Sequence, residues 1–215
     1  MTNFNFNLKA RIQGKDGECG TLAGLVVDSE ARVVTALIIQ RGHLLAQRRV
    51  VPISTVQSAQ EDDVYLSLGS YELDQYPEYR LVEFEEPIVE LNQKQPAEIV
   101  APFGLHGVTE PTVPTRKLKV REGIGAGYKV IEPGMVLKNL DGKVGKAARV
   151  AVDGEHHSIT YLVARRGLVF PEYLVIPVTM IDEVSEDSIT LFGIDEALSN
   201  LPQYKDVIGI DFLNE

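Results

Sequence analysis

The chain is poor in the residues that staple or anchor small proteins. It has one cysteine, Cys19, no tryptophan and three methionines in 215 residues. A single thiol closes no intrachain disulfide and has no second thiol to share a metal cage, so a reducing cytosol is the expected setting. Positive charge is short as well: 21 Lys and Arg face 31 Asp and Glu, a formal charge of -10. A surface with that balance repels phosphate backbones at long range, which argues against nonspecific nucleic-acid binding. Long apolar runs are missing too. The longest, around Val33 to Ile39, fall far short of the roughly 20 residues that a bilayer span needs. Met1 to Leu8 has neither the basic stretch nor the apolar core of a signal peptide. The expectation is a cytoplasmic protein, neither exported by a standard signal nor threaded through a membrane.

What is present is an ordinary core-forming composition, 44% hydrophobic and 24% charged. It is incompatible with wholesale disorder and long enough for one large domain or two small ones. The strongest internal signal is a repeat. Asp16, Gly17 and Gly20 recur as Asp141, Gly142 and Gly145, an offset of 125 residues. The same offset carries Asp28 onto Asp153, Thr35 onto Thr160, Arg41-Gly42 onto Arg166-Gly167, Pro52 onto Pro177, and Pro77 with Tyr79 onto Pro202 with Tyr204. About 18 identities fall over residues 16 to 79 without a gap, where composition alone gives roughly 4. A unit of this length is a small domain rather than a solenoid repeat. Between the copies, from about Arg80 to Pro114, lie five of the eleven prolines. Proline lacks an amide donor and fixes its own φ, so this stretch is expected to run extended as a linker. The expected organisation is a first domain over residues 1–80, a Pro-rich linker over 81–115 and a second domain over 116–215.

Local patterns are those of strands. Leu22 to Val27 and Val33 to Ile39 are short β-branched runs separated by the turn Asp28 to Arg32; Ala147 to Val152 and Ile159 to Ala164 repeat them. A third strand is expected over Val50 to Val56, with Pro52 at an edge or bulge, and a fourth over Val64 to Leu68. Ser70 to Leu73 and Asp195 to Leu198 read as short helices stopped before Pro77 and Pro202. The fold class is mainly β: two small bent sheets, each closed or half closed into a barrel, with a short helix after the last core strand.

The ordered set of features resembles the PRC-barrel family. It comprises a D-G-x-x-G turn (Asp16 to Gly20, Asp141 to Gly145), a hydrophobic strand ending in Asp, and the V-T-x-L strand Val34 to Leu37. An R-G pair, a V-x-P strand and a closing P-x-Y complete it. The resemblance covers most of the chain twice, and its glycines and aspartates (Asp16, Gly17, Gly20, Asp141, Gly142, Gly145) are structural turn residues. The family occurs in the cytoplasmic part of the photosynthetic reaction-centre H subunit and in ribosome maturation factors, and its barrels mostly dock partners. The resemblance therefore implies binding rather than catalysis. This chain lacks the transmembrane helix of the first setting and has a second copy where the second has an unrelated domain.

Candidate sites are few. His156-His157 is a tempting metal feature, but adjacent side chains in a turn diverge and no third ligand stands nearby, so a solvated turn is the preferred reading. His43 and His106 are isolated. Gly123 to Gly127 is like a phosphate loop, yet it leads to a strand pattern instead of a helix and is read as a lead-in to the second copy. Glu61-Asp62-Asp63 and Glu83, Glu85 and Glu86 are read as charged faces. No catalytic residue, metal site or cofactor is expected. The informative contrast is between the two R-G hairpins. The first carries Arg41, His43, Arg48 and Arg49; the second carries Arg165, Arg166, Leu168, Phe170 and Tyr173. The arginines can pair with a partner's carboxylates, and the apolar residues form a patch if exposed; in the competing reading Phe170 and its neighbours cap their own barrel.

These readings favour a non-catalytic cytoplasmic adaptor whose two barrels dock protein partners. Two alternatives are a peripheral subunit of a photosynthetic or electron-transfer membrane complex, and a ribosome assembly or RNA-processing factor motivated by the basic run Arg116, Lys117, Lys119 and Arg121. Pairing of sheet edges would allow a homodimer.

Overall fold

A computed structural model describes residues 3–42, 46–60, 62–87, 115–167, 170–194, 197–198 and 201–204, and of 81–87 and 115–122 the backbone alone. The protein is mainly β. By compactness it divides into one unit made of Met1–Tyr79 with Gly123–Glu215, and a second made of Arg80–Glu122. The sequence reading divides the chain after 80 and after 115; the observed divisions come after Tyr79 and after Glu122, and the two flanking parts fall together.

The larger unit holds two seven-stranded sheets. The first contains β2 (Arg11–Gly14), β3 (Gly17–Asp28), β4 (Val33–Arg41), β5 (Gln47–Pro52), β6 (Val56–Gln60) and β7 (Asp63–Leu66), in the order β5-β4-β3-β2-β7-β6. The second contains β11 (Val136–Asn139), β12 (Gly142–Asp153), β13 (Ile159–Arg166), β14 (Glu172–Pro177), β15 (Ile181–Val184) and β16 (Ser188–Leu191), in the order β14-β13-β12-β11-β16-β15. Pairing is antiparallel except between β2 and β7 and between β11 and β16. The seventh strand of each sheet comes from the other part of the chain. β1 (Asn3–Asn7) pairs with β12, and β10 (Tyr128–Ile131) pairs with β3.

Each long strand is bent so that it can serve two neighbours on one side. β3 pairs through Gly17 to Thr21 with β2, then through Leu25 to Asp28 with β10. Its register against β4 slips between Leu22 and Gly24 and again between Val26 and Val27, and β12 slips against β13 at Ala147/Arg149 and Ala151/Val152. An extra residue on one strand bends it and increases its twist, which curls both sheets. The motif residues hold this geometry. Thr35 and Thr160 donate to the carbonyls of Val26 and Ala151, at the second slip in each strand. Asp28 accepts from the amides of Glu30 and Ala31, and Asp153 from those of Glu155 and His156, closing equivalent Asx turns. Gly17 and Gly142 sit at φ 119° and 133°, where a side chain is strained. A Cβ on Gly20 would stand 2.3 Å from the Gln40 carbonyl oxygen.

The P-x-Y segments explain how two sheet edges are covered. Tyr79 donates its amide to Arg48 and Val50 donates to Pro77, while Tyr204 donates to Tyr173 and Val175 to Pro202. The outer edges of β5 and β14 are thus partly hydrogen-bonded within the chain. The expected strand Val50 to Val56 is broken in two. Pro52 ends β5, Ile53–Thr55 forms a 3-10 turn and β6 starts at Val56, with the Thr55 hydroxyl bonded to the Pro52 carbonyl at 2.7 Å. Of the two expected helices, α1 spans Ser70–Leu73; the other falls partly on Asp195 and Glu196, outside the described residues.

One apolar core runs through both sheets, from Phe4, Phe6 and Leu8 through Leu37 and Ile39 to Leu137, Leu162 and Ile176. The two β-hairpin tips also meet. Val34 donates its amide to the His157 carbonyl and Ile159 donates to that of Arg32, each at 2.9 Å. Arg32 and His157 both adopt a left-handed backbone, φ 55° and 57°. Arg32 then reaches the carbonyls of Val178 and Ile181, and His157 stacks on Phe4.

In the smaller unit β8 (Arg80–Pro87) pairs antiparallel with β9 (Thr115–Glu122). These strands take up both ends of the stretch expected to be an extended linker. Their register sets Glu83 opposite Lys119, Glu85 opposite Lys117 and Glu86 opposite Arg116. Among the described residues no helix is long and apolar enough to cross a membrane.

Because β1 is one strand of the second sheet and places fully buried Phe6 in the shared core, Phe6→Ala is expected to cost about 4 kcal/mol. Denaturant unfolding followed separately by probes in each sheet should show one common, lowered transition. Loss of the second sheet alone, with the first unchanged, would contradict the shared core.

Candidate functional site: a cationic groove on the second sheet

The repeated motif residues are spent on turns, bulges and edges, so any site must be built from positions where the two sheets differ. The largest difference is charge. Lys138 stands opposite Lys143, and Lys146 opposite Arg165. The corresponding pairs of the first sheet are Gln13 opposite Glu18 and Thr21 opposite Gln40. Like charges directly opposed across antiparallel strands destabilise a sheet. The second sheet carries two such pairs where the first carries none.

Lys143, Lys146 and Arg165 border a groove of about 810 Å³. Six cationic residues line it: Lys9, Lys143, Lys146, Arg149, Arg165 and Arg166. Asn7, Tyr173 and three glycines supply the polar and open parts of the wall, and among the described residues no Asp or Glu lines it. The chain as a whole has a net charge of -10, so this is a local inversion of sign. A concave wall of one sign concentrates counter-ions, and here the counter-ion is an anion. β12 and β13 supply the groove's floor because Gly145 lets the strands close up: a Cβ there would stand 2.9 Å from the Arg165 carbonyl oxygen. The segment after β1 brings Lys9 to the rim, with Leu8 anchored by its amide to the Ala148 carbonyl at 3.0 Å.

The six cations are not equivalent. Arg149 is only 12% exposed, lies 3.4 Å from the Asp62 carboxylate and sits over the Tyr204 ring at 5.6 Å from its centroid. Tyr204 in turn accepts from the Asn5 amide at 3.0 Å, and burial pushes the neighbouring Tyr161 phenol up from its ordinary pKa. Arg149 therefore belongs to the wall's internal support. Lys9, Lys143, Lys146, Arg165 and Arg166 are exposed and make no ion pair with a described residue.

The two R-G hairpins divide along the same line. Arg41 donates to the Ser70 carbonyl at 3.1 Å and pairs with Asp74; Arg48 donates to Gln40 at 3.2 Å; Arg49 donates to the Tyr76 carbonyl at 3.2 Å. All three are engaged within their own half. Arg165, Arg166 and Tyr173 line the groove, and Phe170 at the same hairpin is 85% exposed, so it caps no core. His43 and Leu168 lie outside the described residues. Arg41 and Arg166 occupy matching positions, but the residue matching Asp74 is Ser199, which has no carboxylate to offer.

The remaining sequence candidates are structural. Asp16 binds the backbone and side chain of Ser70, which starts α1, and those hydrogen bonds hold its carboxyl below the usual carboxylate range. Asp141 lies in the matching turn, where Asn139 accepts from the amides of Asp141 and Gly142. Of the acidic run, Asp62 meets Asn7 and Arg149, while Asp63 is held by Arg11 at 2.7 Å and Gln13 at 3.1 Å, which lowers its pKa. The His156 ring lies 3.0 Å from Asp153 in an exposed turn. Gly123 to Gly127 leads into strand β10. Cys19 is buried, and burial raises its thiol pKa.

Lys143 and Lys146 escape a reading based on motifs because they sit between the matching residues, and Lys9 because it precedes them. The signal that finds the first two is the difference at the same offset: Lys143 and Lys146 stand where Glu18 and Thr21 stand in the first sheet. Comparison with protein-family models and with curated proteins finds no match, so the functional reading rests on the groove.

Opposed like charges cost stability that a neutral side chain recovers. Lys146→Gln should raise the denaturant midpoint, by about 0.5 kcal/mol of stability; its first-sheet counterpart Thr21→Gln should not. An unchanged or lowered midpoint for Lys146→Gln would show that Lys146 and Arg165 do not repel.

Proposed function

We propose that the protein is a non-catalytic docking protein whose two curled sheets are PRC-like barrels descended from one duplicated unit, and that the groove of the second barrel takes an acidic segment of a protein partner. The observation that carries this is the cationic groove on an acidic chain. Ammonium and guanidinium groups bind and orient anions, and five of the six here are exposed at the rim of a concavity long enough for several side chains. The opposed pairs supply a second argument: charge is kept there at a cost to the sheet, as at sites selected for binding over stability. The scaffold is common to both halves and the charge to one, which assigns them different tasks, the first as support and the second as receptor.

The same observations rank the alternatives. The basic run that motivates an RNA-processing role lies on a strand whose register sets Glu83, Glu85 and Glu86 opposite Lys119, Lys117 and Arg116. The chain's net charge of -10 opposes approach of a long polyphosphate. A place at a photosynthetic or electron-transfer complex rests on family resemblance; an acidic partner accounts for the groove wherever the complex is located.

A labelled deca-glutamate peptide serves as the probe. It is expected to bind the full chain in about 0.05 M salt and to weaken steeply by about 0.3 M. The double variant Lys146→Glu with Arg165→Glu should weaken binding by at least tenfold, while Thr21→Glu with Gln40→Glu leaves it unchanged. Equal binding by both variants, or binding indifferent to salt, would overturn the assignment of the groove.

A further inference from the structure

The groove does not end at its lysines. Lys143 lines it and stands opposite Lys138 on β11, and Lys138 pairs in parallel with Thr190 on β16. Two residues beyond Lys138 is Leu140, at the tip of the β11–β12 hairpin and 88% exposed. Two residues beyond Thr190 is Phe192, 53% exposed, followed by Ile194 at 47%. Three large apolar side chains, about half exposed or more, thus follow the ends of β11 and β16, with β11 the direct neighbour of the lysine-bearing strand β12. Scattered exposed apolar residues are ordinary, but a local group at the end of a charged groove is the pattern of an interface.

The first sheet shows that the fold does not require them. At the matching positions it has Lys15, Ser67 and Gly69. Lys15 donates its amide to the Leu68 carbonyl and Ser67 donates to the Thr55 carbonyl, so these three positions carry no large apolar side chain, and the exposed aromatics of this half are Tyr65 and Tyr71, each with a polar hydroxyl. Phe192 makes the bond matching that of Ser67, to the Met180 carbonyl at 2.8 Å, with its side chain in solvent. Three large apolar side chains, about half exposed or more, therefore stand on one sheet where the other has Lys, Ser and Gly, and it is the sheet that carries the lysines.

We infer that the apolar end and the cationic groove form one continuous docking surface, and that its occupant is an extended protein segment in which a run of carboxylates is followed at one end by large apolar side chains. This rests on the acidic-partner reading above and makes it more specific. Charge complementarity sets the acidic run along Lys143, Lys146 and Arg165. The register sets the apolar anchor at Leu140, Phe192 and Ile194.

Three peptides test the inference on the full chain: deca-glutamate alone, and deca-glutamate with Leu-Phe-Leu added at its N-terminus or at its C-terminus. One of the two extended peptides is expected to bind roughly tenfold tighter than the plain one, the gain that follows from burying one partly exposed large apolar side chain on each partner. That gain should persist at salt concentrations that abolish the plain peptide's binding. It should disappear in Leu140→Ser with Phe192→Ser, a variant at exposed positions that leaves binding of the plain peptide intact. If the plain peptide binds and neither extension helps, or if the gain survives in the double-serine variant, the continuous surface is wrong while the acidic-partner reading stands. If no peptide binds, both fall. Tighter retention on phosphatidylserine vesicles than on any peptide, lost in the double-serine variant, would assign the surface to a membrane and overturn the inference.

Discussion

The reciprocal placement of β1 and β10 is the constraint on which the rest of the structure depends. Each sheet lacks a strand along one side of its long bent strand, and each receives that strand from the other part of the chain. Pulling β1 away would expose Phe4 and Phe6 and leave one side of β12 from Arg149 to Asp153 without backbone partners. The hairpin tips at Arg32 and His157 repeat the exchange on a smaller scale, with two backbone hydrogen bonds that run in opposite directions. Neither sheet is complete without the other, and the core they share is continuous.

A scaffold locked in this way leaves room for change at its outer positions. The residues that make bulges, Asx turns and edge covers match between the sheets, because altering any of them would loosen both. The outward positions are free of that duty, and they differ. One sheet keeps Glu18, Thr21 and Gln40 and ties Arg41, Arg48 and Arg49 into its own structure. The other sets lysines and arginines against each other across the strands and closes its end with exposed leucine, phenylalanine and isoleucine. Both features are unfavourable in an isolated protein. Both would be satisfied by the proposed partner, which brings carboxylates and an apolar anchor.

Much of the scaffold was legible in the amino-acid sequence. The β-branched runs lie within β3, β4, β12 and β13, and the Asp-Gly turns, the Asp28 and Asp153 turns and α1 fall where their residues place them. The strand expected through Pro52 is two strands, since a residue without an amide donor ends β5 and a turn follows. The exchange was not legible. Asn3–Asn7 and Tyr128–Ile131 are four or five residues long, and nothing local in a short strand says which sheet it joins; only the tertiary register decides. The groove was half legible. Arg165, Arg166 and Tyr173 announced themselves through the contrast of the R-G hairpins, whereas Lys9, Lys143 and Lys146 come together only because β12, β13 and the segment after β1 converge. The arginines of the first hairpin looked alike in sequence and are distinguished by what they touch.

Titrating the isotope-labelled protein with the deca-glutamate peptide while following backbone amide resonances tests most directly the claim that one sheet is the receptor and the other its support. The account predicts shifts concentrated in Lys143 to Arg149 and Arg165 to Tyr173, with the matching residues Glu18 to Gly24 and Gln40 to Arg48 unmoved. Shifts of equal size in both sets, or confined to the first, would contradict it.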